Sequence, residues 1–140
     1  MKIFLTLLVV FFAINFSVGQ TPKYIYCFAR LGDGSQKAVS DVVDVTKLPS
    51  HGVKRIGYMG KKSLLDYYND VAMAWWIYLI KKNGYTPEEG TVSVVLVSFK
   101  RGADCTDGNQ DSCFNTSKSD MEYERTSYIN SNKESWVYIK

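Results

Sequence analysis

Apolar positions along the chain fall into two distinct rhythms. From Lys23 to Leu31 the segment is rich in Tyr, Ile and Phe, with Ile25, Cys27, Ala29 and Leu31 alternating on one side, which predicts a strand. Gly32-Asp33-Gly34-Ser35 is a turn signal, and Val39, Val43 and Val45 continue in phase through a second strand from Ala38 to Val45. A hairpin follows from this pairing of runs.

The rhythm then changes to three and four. Leu64, Leu65, Tyr68, Ala72, Trp75, Trp76 and Leu79 form a broad stripe, predicting a helix from about Leu64 to Lys82. Ser63 with Asp66 supplies an N-terminal capping box, Lys81 and Lys82 complement the dipole in the last turn, and Asn83-Gly84 ends the helix. Its second half, Val71 to Ile80, is apolar right around the cylinder. Such a segment is either covered on both sides within the domain or presents Met73, Ile77 and Tyr78, opposite the stripe, to a protein partner or a second copy of the chain.

Thr91 to Phe99 is apolar on both faces and predicts a central strand. Met121 to Ile129 and Glu134 to Ile139, separated by Asn130-Ser131-Asn132-Lys133, predict a closing hairpin. The expected fold is therefore α+β: a mainly antiparallel sheet of about five strands with one long helix packed on one face.

The N-terminus stands apart from this pattern. Lys2, an apolar run from Leu7 to Ile14, and small residues at Ser17 and Gly19 have the three parts of a secretory signal peptide. The run is short for a bilayer span of roughly 20 residues. Residues 1–19 are thus expected to be removed, residues 20–140 to form one domain, and the protein to be secreted or periplasmic, with no membrane span after cleavage.

Composition refines this picture only in places. The 140 residues are 46% apolar and 22% charged, with 17 Lys and Arg against 14 Asp and Glu. That balance excludes a disordered chain and gives no indication of a global attraction to nucleic acid or a membrane surface. The charges are segregated, however. Residues 45–65 hold Lys47, Lys54, Arg55, Lys61 and Lys62 without a carboxylate, whereas residues 104–124 hold six carboxylates against Lys118 alone.

In an exported chain, Cys105 and Cys113 are placed to close a polar loop by a disulfide, leaving Cys27 as a buried thiol on its strand. Within that loop Asp104, Asp107, Asn109 and Asp111 offer oxygen ligands for Ca²⁺. The full hand motif fails, because Ser112 replaces its Gly and Lys118 its bidentate Glu, so any calcium site would be irregular. Asn115-Thr116-Ser117 is a glycosylation acceptor triplet.

His51 is the only histidine, which removes two-His metal sites. With Arg55 and a carboxylate such as Glu88 or Glu89 it has the composition of a general-base site for an anionic substrate. Gly60-Lys61-Lys62-Ser63 lacks the first Gly of a phosphate-binding loop, since position 55 is Arg, and Lys62 stands in the Ser/Thr place. Lys61 and Lys62 at the helix start retain only the capacity to hold a ligand anion.

These features point first to a small secreted or cell-envelope binding module without catalysis. The alternatives are a small secreted hydrolase acting through His51 and its basic neighbours, and an inhibitor or immunity-type protein that works by steric blockage.

Overall fold

A computed structural model of the chain describes residues 24–32, 34–96 and 117–140. The segment expected to be a signal peptide, the loop bearing Cys105 and Cys113, and the candidate calcium ligands Asp104, Asp107, Asn109 and Asp111 lie outside the described residues.

The elements in order are β1 (Tyr24–Leu31), β2 (Gln36–Ser40), β3 (Val43–Asp44), a 3-10 turn (Val45–Lys47), β4 (Ile56–Gly57), β5 (Gly60–Lys61), α1 (Leu64–Lys82), β6 (Ser93–Val95), α2 (Lys118–Ser131) and β7 (Ser135–Ile139). The fold is α+β with a mostly antiparallel sheet of five strands. Strand β1 is its hub: it pairs antiparallel with β2, β3 and β6. Strand β7 adds to β2 in parallel, with Gln36 opposite Ser135 and Ser40 opposite Ile139.

The second predicted strand is interrupted. Phe28 pairs with Val39 but Ile25 pairs with Val43, so one extra residue is accommodated between Ser40 and Val42, which is a β-bulge. There the ladder is mended by a side chain: Cys27 N–H donates to Ser40 Oγ at 2.8 Å, and that hydroxyl donates to the Asp41 carbonyl. The strand then turns into the 3-10 segment, where Asp44 accepts from Thr46 N–H as a cap.

The two sides of β1 feed two cores. Ile25, Cys27, Ala29 and Leu31 pack with Ala72, Trp76 and Ile80 of α1, together with Ala38, Val45, Leu96 and Ile139. Tyr26 packs on the other side with Val39, Val42 and Met121 of α2, flanked by Tyr24, Phe28, Tyr128 and Trp136. The sheet is thus sandwiched between the helices. Each fully buried Ile or Val contributes about 1.5–3 kcal/mol, so both layers are held mainly by apolar burial.

Helix α1 has the predicted bounds and cap, with Ser63 Oγ accepting from Asp66 N–H at 3.1 Å. Of its predicted stripe, Leu65, Tyr68, Ala72, Trp75, Trp76 and Leu79 all reach the core.

The end of the chain corrects the expectation. Met121 to Ile129 is not a strand but part of α2, so there is no closing hairpin and the sheet carries a second helix on its other face. Two local causes favour the helix. Ser117 Oγ accepts from Asp120 N–H at 3.1 Å, an N-cap that the strand reading overlooked. Met121, Arg125 and Tyr128 also recur at spacings of four and three, which puts all three over the sheet; Arg125 Nε donates to the Ser40 carbonyl at 2.6 Å. The predicted strand Thr91–Phe99 is likewise shorter among the described residues, where only Ser93–Val95 pairs.

Candidate functional site

The basic stretch before α1 has structure that the sequence did not announce. Val53 N–H donates to the Ser50 carbonyl at 2.9 Å, closing a turn whose central residues, His51 and Gly52, both have positive φ (46° and 83°). Glycine adopts this conformation freely, and His is among the side chains that tolerate it. The turn sets the His51 ring against Tyr78 of α1, with ring centroids 4.6 Å apart.

A minimal hairpin follows. Ile56 pairs with Lys61, Gly57 with Gly60, and Lys62 N–H donates to the Arg55 carbonyl at 2.8 Å. Only Tyr58 and Met59 form the tip. Gly60 has φ 108°, a value that side chains resist, so its glycine is required for this turn. Tyr58 and Met59 are fully exposed and Ile56 is 76% exposed.

At the base, Lys62 Nζ meets Asp70 Oδ2 of α1 at 2.7 Å. Asp70 and Tyr78 are eight residues apart, about 12 Å along the axis, so the chain from His51 to Lys62 is tied to α1 at two points roughly two turns apart. Met73 and Ile77 fall between these ties and are half-buried, while Tyr78 is half-exposed. The three helix residues singled out from the sequence therefore share a face with the ties that secure the basic segment.

The other candidates are placed as follows. Lys61 lies exposed on β5, Lys62 is engaged by Asp70, and the α1 N-terminus is capped by Ser63. Arg55 is half-buried, and its Nε is shielded without an acceptor among the described residues. Glu88 belongs to another neighbourhood: its backbone N–H donates to the Arg30 carbonyl, and its carboxylate lies beside Gly34 in the β1–β2 turn. His51 has Tyr78 for its neighbour instead. No group of three or more His, Cys, Asp or Glu among the described residues is arranged to hold a metal ion.

A cleft of about 400 Å³ opens between the first turns of α1 and β6, lined by Leu65, Asp66, Asn69, Val94, Val95 and Leu96. Its walls are mainly aliphatic, and Asp66 is already bound to Ser63.

Two titratable groups of the core, Tyr26 and Cys27, have displaced pKa values. Burial pushes the Cys27 thiol far up, with the Ser40 hydrogen bond opposing only in part. Burial, followed by the charge of Glu124, raises the Tyr26 hydroxyl. A thiol held this firmly protonated is a poor nucleophile.

Sequence reasoning missed Ile56, Tyr58 and Met59. Their signal was Gly57 and Gly60 bracketing two residues, but strands of two residues leave no periodicity to detect. The fold and surface define a small α+β domain whose sheet is covered by a helix on each face and which projects an apolar-tipped basic hairpin. Comparison with known proteins finds no matching family model, no matching curated protein and no matching solved structure.

Proposed function

We propose that this protein is a small secreted or cell-envelope binding module without catalysis, exported by removal of residues 1–19 and stabilised outside the cell by a Cys105–Cys113 disulfide. Its binding surface is the β4–β5 hairpin together with the adjoining face of α1. One observation carries this reading: Ile56, Tyr58 and Met59 are held in water by a braced hairpin, where large apolar side chains gain nothing for folding.

The sequence suggested the apolar half of α1 as the contact surface. The burial of Val71, Ala72, Trp76 and Ile80 commits one side of that helix to the core, which favours a surface that includes the hairpin beside it. An inhibitor that acts by steric blockage would use the same surface.

The test is capture from the medium and envelope fraction of the native host, comparing wild type with the Tyr58→Ser/Met59→Ser double variant. The reading expects components retained by wild type and lost by the equally folded variant. Identical capture by the two proteins would remove the hairpin from the binding surface.

A further inference from the structure

We infer that the β4–β5 hairpin docks on an anionic phospholipid surface, with Tyr58, Met59 and Ile56 entering the interface and Lys54 and Lys61 meeting the headgroups. This rests on the binding-module reading and names its partner.

The charge pattern supports the anion. Residues 45–65 contain no carboxylate. Of the two acids on α1, Asp70 is paired with Lys62, while Asp66 hydrogen-bonds the neutral Ser63 hydroxyl and keeps its charge. Lys54 and Lys61 stand exposed on either side of the tip. Among the described residues the hairpin therefore presents an apolar point within a collar of net positive charge.

Size decides between a membrane and an acidic protein. A stable protein interface takes roughly 800 Å² from each partner. Two tip residues and one flanking Ile offer far less, and the adjoining face of α1 adds only the half-buried Met73 and Ile77 and the half-exposed Tyr78. A bilayer makes no such demand, because a short apolar insertion and a few cations suffice for reversible attachment. Tyr is also a residue type enriched at the headgroup level, and each Lys near an anionic surface contributes about fivefold in affinity. Among the described residues no helix is long and apolar enough to cross a membrane. The bracing matters here: Lys62 on Asp70 and His51 on Tyr78 fix the hairpin base to the helix, so little order must be gained on docking.

The experiment is sedimentation of the secreted full-length product with vesicles of phosphatidylcholine alone and of phosphatidylcholine mixed with phosphatidylglycerol. Expected are binding to the anionic vesicles that weakens as salt rises, and little binding to the neutral ones. Tyr58→Ser/Met59→Ser should weaken it by about tenfold or more, and Lys54→Glu/Lys61→Glu should abolish the preference for anionic lipid, both variants melting like wild type. Equal binding to the two vesicle types, no binding, or undiminished binding by the folded variants would overturn the inference. Binding to immobilised polyglutamate without binding to vesicles would also overturn it, in favour of an acidic protein partner, and would leave the binding-module reading standing.

Discussion

The main-chain N–H of Cys27 donates to the side-chain oxygen of Ser40 at 2.8 Å, and both residues are wholly shielded from solvent. The bulge shifts the register at this point, and the hydroxyl takes the place of a ladder carbonyl. Arg125 reaches the Ser40 carbonyl from α2, so one serine ties the bulge to the second helix.

Ser40→Ala leaves a buried N–H without a partner. The expected cost is about 1–3 kcal/mol, measured as a lower denaturant midpoint with an unchanged slope. A midpoint equal to wild type would show that the bulge closes without the hydroxyl.

Alkaline stability should fall early. The ordinary pKa values are 9.0 for the Cys27 thiol and 10.0 for the Tyr26 hydroxyl, and burial raises both in the fold. Above pH 9 the unfolded chain releases protons that the native state retains, so stability is full below that pH and declines as pH rises. The decline is about 1.4 kcal/mol per pH unit for Cys27 alone, with Tyr26 adding to it above pH 10. Urea unfolding between pH 8 and 11, on wild type and Cys27→Ala, checks this: the variant should lose the slope between pH 9 and 10.

Trp76 is completely buried, and no described residue accepts from its indole N–H. Trp76→Phe therefore trades lost contact area against removal of an unsatisfied donor and should stay within about 1.5 kcal/mol of wild type. Trp76→Ala should cost about 3–5 kcal/mol. Equal losses from the two substitutions, measured by thermal melting, would contradict an unpaired indole.

Met121 and Met59 make a paired test of the two new elements. Met121 is fully buried on the side of α2 that faces the sheet, whereas Met59 stands in water. Met121→Ala should cost about 2–5 kcal/mol and Met59→Ala no more than about 0.5 kcal/mol. Similar effects in chemical denaturation would mean that one of these placements is wrong.

Where a signal sits within a few residues, this chain reports its own structure. The period-two side chains of β1 and the bounds of α1 are legible because alternation, the Ser63 cap and the Asn83-Gly84 stop are local events. At Met121–Ile129 local evidence conflicts. Tyr, Thr and Ile favour a strand, yet Ser117 caps a helix whose Met121 and Tyr128 find apolar partners on the free face of the sheet. Burial against that face outweighs the weaker β preference of the segment.

The candidate site was legible only in its ingredients. Lys54, Arg55, Lys61 and Lys62 announce a basic segment, and His51-Gly52 announces a turn. Nothing in their spacing shows that Lys62 would be engaged by Asp70 while Lys61 stays exposed, or that Tyr58 and Met59 would be left outside.

By itself the sequence determined the α+β class, the first strand and the long capped helix, because propensity, capping and hydrophobic period act between neighbours along the chain. Only the tertiary structure decided that β7 joins β2 in parallel, that two helices sandwich the sheet, and that an apolar hairpin tip remains in solvent. Those outcomes depend on which distant surfaces bury one another, a competition in free energy that no short stretch of residues records.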